Sequence, residues 1–532
     1  MNISASWDVV IVGSGHNALV AAAYLAKAGQ KVLVIEKRAE IGGATTSQKV
    51  FPDYDAWLSR YAYLVSLFPD QIIRDLGLTL ECRRRNIASF TPWTDSFGQP
   101  RGLVLSNIHP ERSRDSMREL TGSDAQWSRY QAFGELQLEM ARLVWPSLLS
   151  PLKSRTQFQS ALSSDRSRNA WNAFVERPVG DVIEEYFDHD ALRGLVMTDG
   201  LIGVNSWAHD ASLLQNRCFL YHIIGNETGE WKVPAGGMRS LVNSLLQTCS
   251  HAGVTVISGA EVRHLEPGKT CQTVTLVRDG QEQVLRATRV LVNASPRVFS
   301  ALVGKSWVPS AADEGTAVKI NMLLRRLPRV KAKGVTSEEA FGGTFHIDEG
   351  YGQLKDAWTA SSAGRLPDPV PGEIYCHTLT DNSILSPELR SAGYQTLTLF
   401  GLHMRYELFR DNNAELRPEL QKRYFEGLNR LCDEPFEDCL ARDRNGNLCV
   451  EVKTPVDLEN DIDLDRGNIF HNELSWFFKS EDQPQRWGVE TEWPGIYLAG
   501  SSALRGGAVS GIPGHNAAMC ILEELGLKSF DV

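Results

Sequence analysis

The chain has 532 residues, 42% of them hydrophobic and 23% charged, with 44 glycines. That length exceeds one compact core, since domains cluster near ~100–200 residues, and the composition excludes a disordered or fibrous protein. A net charge of -10 and a pI near 5.7 argue against nucleic-acid binding, which needs a basic face to release counterions from phosphates, and the one dense basic run, Arg83-Arg84-Arg85, reads as a solvated loop.

Residues 8 to 37, "DVVIVGSGHNALVAAAYLAKAGQKVLVIEK", are apolar enough to suggest an export signal or a membrane span. The preceding "MNISASWD" lacks the basic region of a signal, and a span would set Gly13, Ser14, Gly15, His16 and Asn17 in hydrocarbon. The order of residues predicts a βαβ unit: strand Val9–Val12, a glycine turn, a helix from about Asn17 to Ala28, and strand Lys31–Ile35 ending at Glu36. Gly13-x-Gly15-x-x-Ala18 matches the dinucleotide fingerprint. In it Gly13 makes the tight turn, Gly15 admits the pyrophosphate, Ala18 packs helix on strand, and the helix N-terminus presents free N–H groups to the phosphates. Glu36 sits at the ~20-residue spacing of a ribose-binding acid. Beyond Lys37 and Arg38, the Gly42-Gly43 pair with Ala44 and Thr45 lets backbone pass close beneath a flavin, which a plain NAD dehydrogenase does not require.

Further along, 69–231 reads as a helical cap or substrate domain, with amphipathic helix "DAQWSRYQAFGELQLEMARLVW". Its segment 141–162 carries two prolines and basic flanks; it reads as a core-facing helix pair broken by proline, with peripheral contact to a membrane as the alternative. Residues 232–300 return to the nucleotide domain through "VTVIS" and the buried strand of "ATRVLVNASP". Residues 301–464 mix strands and helices as a substrate-binding domain, and 465–532 close the nucleotide domain, which also holds 1–68. There the strand Ile496–Ala499 runs through Gly500 into a glycine-rich stretch and a helix starting near Pro513, a second helix N-terminus able to stabilise negative charge. The fold class is α/β, α+β overall: a discontinuous Rossmann-type FAD-binding domain with a mixed-sheet substrate domain and a helical cap. Nine cysteines without a C-x-x-C or zinc-like spacing predict reduced thiols in a cytoplasm and no metal site.

Residues 8–47, "PAGGM" at 234–238, "VLVNASP" at 290–296 and residues 495–518 resemble the phytoene desaturase-like branch of the FAD-dependent amine oxidase superfamily. The resemblance implies bound FAD lined by Gly13, Gly15, Glu36, Arg38, Gly43, Val262, Gly500 and Val509. The wider cofactor set is His16, Asn17, Ala18, Lys37, Gly42, Ala44, Thr45, Ser501, Gly507, Gly511 and Ile512. Relatives often read T-H-P-G-G-G-V where this chain has Ala503-Leu504-Arg505-Gly506-Gly507-Ala508-Val509. Arg505 in that position reads either as a substrate-carboxylate clamp or flavin-anion support, or as an arginine on the surface or the pyrophosphate side.

One fingerprint means one dinucleotide site, so electrons are expected to leave the flavin for dioxygen or a quinone. The expected activity is hydride removal from a largely apolar substrate, by C–C desaturation or C–N oxidation. A double-bond isomerase like the carotenoid isomerases is the enzymatic alternative, and a flavin-free prenyl-lipid binder like Rab GDP-dissociation inhibitors the non-enzymatic one. His346, His377 and His403 belong to no motif and are read as structural; no catalytic base is named.

Overall fold

The computed structural model describes residues 6–527; positions 1–5 and 528–532, the expected outer limits of the nucleotide domain, lie outside the described residues. The chain enters with strand β1 (Ser6–Val12), helix α1 (His16–Lys27) and strand β2 (Val32–Ile35), then leaves for a hairpin of β3 (Ile87–Thr94) and β4 (Pro100–Ser106). It crosses a helical layer that includes α2 (Ala125–Val144), and returns through α3 (Arg239–His251), β5 (Thr255–Ile257), β6 (Ala260–Glu266), β7 (Gln272–Arg278) and β8 (Gln281–Val292). Strands β9 (Val318–Leu324), β10 (Thr344–Ile347), β11 (Gly372–Tyr375), β12 (Gln395–Gly401) and β13 (Val450–Lys453) follow, and β14 (Ile496–Leu498) and α4 (Ile512–Glu524) close the chain.

The first sheet has the order β6-β7-β8-β1-β2-β5, with β14 beside β8. Strands β1, β2, β5 and β14 run parallel to their neighbours, and the runs "VVIV" and "VLVI" are buried throughout because one face packs against α1, α3 and α4 and the other against β6, β7 and the helix Pro296–Leu302. Helix α1 buries every residue from His16 to Ala26 because α3 and α4 flank it as well as the sheet. Gly514 of α4 lies against α1 so closely that a Cβ there would come within 1.9 Å of the Asn17 carbonyl oxygen, which brings the N-termini of both helices side by side.

The second sheet has the order β13-β9-β12-β11-β10-β3-β4. Its last two strands, residues 87–106, lie within the stretch read as a helical cap or substrate domain, and they extend this sheet through the parallel pairing of β3 with β10. Their burial alternates poorly, so no period-2 signal separates them from their surroundings. The helix Asp70–Leu76, also placed in the cap, sends Ile72 and Leu76 into the nucleotide-domain core with Leu19 and Val20.

In the segment 141–162 the chain breaks after α2 at the short turn Trp145–Ser147 and resumes as a helix at Arg155–Ser160, started by a Ser154/Gln157 capping box. Leu148, Leu152 and Phe158 are buried, and Asn516 of α4 donates to the Leu148 carbonyl, so the apolar groups face the core. Among the described residues no helix is long and apolar enough to cross a membrane.

Candidate functional site

Three glycines from opposite ends of the chain converge on one residue from its middle, Asn293, at the end of β8. A Cβ on Gly13 would lie 2.6 Å from the Asn293 carbonyl oxygen, one on Gly15 2.8 Å from its Nδ2, and one on Gly500 2.9 Å from its Oδ1. Gly13 also has φ +87°, a left-handed conformation that glycine adopts without strain. The second glycine turn faces the first, with a Cβ on Gly43 reaching 3.5 Å from the Gly15 Cα. Between these turns helix α1 begins at Gly15 with no side-chain cap, leaving its first N–H groups free for an anion.

Glu36 braces the first turn: its carboxylate accepts from the Ser14 N–H (2.9 Å), the Ser14 hydroxyl (2.7 Å) and the Arg38 N–H (2.9 Å). Lys37 and Arg38 both pair with Asp463. His16 joins the termini. Its Nε2 accepts from the Ser510 N–H at 3.3 Å, so the ring proton sits on Nδ1 and is donated to the Thr45 hydroxyl at 2.9 Å. Burial, reinforced by nearby His471, pushes its pKa down to about 3, and the ring stays neutral.

These groups open into a cavity of about 830 Å³, within the usual range for ligand sites. Of the residues picked out from sequence, Gly13, Gly15, His16, Asn17, Glu36, Lys37, Arg38, Gly42, Gly43, Ala44, Thr45, Val262, Ser501 and Val509 line it. Ala18, Gly500, Gly507, Gly511 and Ile512 stand behind the wall: Ala18 packs in the α1 core, Gly507 approaches the Phe470 ring, and Gly511 takes φ +70° just before Ile512 opens α4.

Arg505 departs from every role expected of it. It is only 2% exposed and does not line the cavity; its guanidinium donates to the carbonyls of Ser147 and Ser150 at 2.8 Å and of Trp487 at 3.1 Å. It caps the turn after α2 and ties the helical layer to the nucleotide domain. Burial lowers its pKa to about 10, which leaves it charged at neutral pH. Arg505→Met is expected to lower the urea midpoint substantially, because each stranded buried carbonyl costs about 1–3 kcal/mol. An unchanged midpoint would remove Arg505 from the scaffold.

The second sheet supplies cavity-lining groups that sequence patterns did not mark as functional. Register pairs Lys319 with Phe400, Phe400 with Glu373 and Glu373 with His346, so these four form one row on the cavity face, spanning three inter-strand steps or about 14 Å. At one end the Lys319 side-chain nitrogen donates to the Ser59 and Tyr61 carbonyls, both at 2.6 Å, and burial drives its pKa well below the ordinary lysine value. The segment it holds runs beside the cradle, where the Ala62 N–H bonds the Ala44 carbonyl.

At the other end Tyr375 donates to Glu373, His346 pairs with Glu349 at 2.5 Å, and Arg85 and Asp199 complete a polar cluster. Burial, then the neighbouring carboxylates, raises Glu373 to about 7 and Asp199 to about 8. Apolar side chains such as Leu64, Leu105, Leu195, Ile202 and Phe470 complete the walls. Of the three histidines read as structural, His346 lines the cavity, whereas His377 and His403 do not. The only signal for the row is strand alternation, which marks a face without marking a function.

Comparison with known proteins agrees with this architecture. The NAD(P)-binding Rossmann-like domain family matches residues 11–71. The Mycobacterium tuberculosis protein Rv0897c is 42% identical over 525 residues, covering 97% of each chain. The pyridine nucleotide-disulfide oxidoreductase domain-containing protein 2 of Rattus norvegicus is 28% identical over 560 residues, covering 98% of this chain and 94% of the rat protein. Among solved structures, cyclohexylamine oxidase from Brevibacterium oxydans IH-35A superposes with a TM-score of 0.56 at 14% identity, over 98% of this chain and 99% of the oxidase. The chain therefore belongs to the family of Rv0897c and shares the fold of cyclohexylamine oxidase.

Proposed function

We propose that the protein is an FAD-dependent oxidoreductase that removes a hydride from a largely apolar substrate and passes the electrons to dioxygen or a quinone. The observation that carries this reading is the glycine-walled cradle, continuous with a mostly apolar cavity whose floor is the substrate sheet. The residues present fit the dinucleotide. The uncapped start of α1 would hold the pyrophosphate, Glu36 would take a ribose and Val262 would lie toward the adenine, while Ala44, Thr45, Ser501 and Val509 would border the ring system. FAD bound there would supply a two-electron acceptor for the substrate carbon.

The chain's own residues do the remaining work. Leu64, Leu105, Leu195, Ile202 and Phe470 exclude water and orient an apolar body. Lys319, held by two carbonyls and depressed in pKa, is placed to accept a proton if one leaves with the hydride.

Purified protein is expected to be yellow and to release FAD on denaturation. Anaerobic mixing with a panel of carotenoids, fatty acyl compounds and amines should bleach the flavin with at least one apolar member, and air or a quinone should restore the colour. Colourless protein that gains no flavin absorbance with added FAD would overturn the reading in favour of a lipid-binding protein. Turnover that consumes no acceptor would favour the isomerase.

A further inference from the structure

We propose that His346, Glu349 and Glu373 bind a divalent metal ion at the polar end of the cavity, a site that stands on its own residues and does not depend on the flavin reading. One potential ligand atom from each residue lies within 4.8 Å of the other two. All three residues are buried, with the side chains of His346 and Glu349 5% and 0% exposed. The arrangement is built by the fold. Pairing of β10 with β11 sets His346 directly opposite Glu373, and the turn after β10 brings Glu349 back to the His346 Nδ1.

One further observation points to a missing cation. The Glu349 Oε1 is buried without any hydrogen-bond partner, although the other oxygen of that carboxylate is bonded to His346. Such an atom costs free energy unless something satisfies it.

The donor set is one nitrogen and carboxylate oxygens without sulfur, which suits Mn²⁺, Fe²⁺ or Zn²⁺ and not a thiolate-seeking ion such as Cu⁺. His346 and Glu373 face the cavity, so open coordination positions would point toward the substrate space, where a substrate oxygen or a water could complete the shell. This departs from the sequence expectation of no metal. That expectation rested on linear spacing, and here the third ligand comes from a neighbouring strand.

The test is metal analysis of the purified protein by plasma mass spectrometry, followed by chelator stripping and calorimetric titration with Mn²⁺ and Zn²⁺. Flavin content is read separately by absorbance, so loss of one is distinguishable from loss of the other. We expect near-stoichiometric metal in the native protein or rebinding after stripping. His346→Ala and Glu373→Gln are each expected to weaken binding at least ~10-fold while the flavin stays bound. Native protein that is metal-free and, after stripping, binds neither ion overturns the proposal, as does unchanged metal affinity in both variants; if a variant misfolds, the wild-type titration alone decides.

Discussion

Gly15→Leu is expected to give folded protein that retains almost no flavin. Gly15 has φ -59°, so leucine meets no backbone strain there. The nearest obstacle to its Cβ is the end of the Asn293 side chain at 2.8 Å, which can swing aside. The leucine branches then occupy the space before the N-terminus of α1, where a pyrophosphate would collect the free N–H groups and the helix dipole. Losing those charge-assisted bonds should cost about 3 kcal/mol or more, on the order of 100-fold in affinity. Gly13→Leu is the contrast, because at φ +87° and 2.6 Å from a backbone carbonyl it should damage the fold itself. Absorbance and a thermal melt of the Gly15 variant decide the matter, and normal flavin content in it would remove the cradle from the site.

Acid is expected to destabilise the protein sharply below pH ~6.5. His16, His377, His403 and His515 are at most 9% exposed, and burial lowers their pKa values from 6.5 to about 3, about 3, about 3 and about 4. Unfolding returns each to its ordinary value, so between the two the unfolded chain holds more protons. The stability these neutral rings confer is complete above pH ~6.5 and is lost as pH falls toward the folded values. Each unit below 6.5 should cost roughly 1.4 kcal/mol per histidine, while Asp199 and Glu373, raised to about 8 and about 7, work in the opposite direction over the same window, so the net loss is smaller than the sum over the four rings. Urea midpoints at pH ~7.5 and ~5.5 check this; a midpoint at pH ~5.5 equal to or above that at pH ~7.5 would mean that the buried rings do not outweigh the raised carboxyls.

The contrast between local and distant interactions explains how much was legible beforehand. The first βαβ unit, its glycine turns and the closing strand–glycine–helix were readable because each depends on residues within a few positions: β-branched runs, small residues at the turn, an acid at the strand end. The sequence by itself therefore determined a dinucleotide cradle at one end and a matching helix N-terminus at the other. Only the tertiary structure decided that Gly13, Gly15 and Gly500 close on Asn293, and that His16 bridges Thr45 and Ser510. It also turned Arg505 from the ligand toward the carbonyls after α2, and placed residues 87–106 in the second sheet. The row from Lys319 to His346 was hidden for the same physical reason: its members lie on four strands far apart in sequence, and register between strands, which no local spacing encodes, brings them to one face.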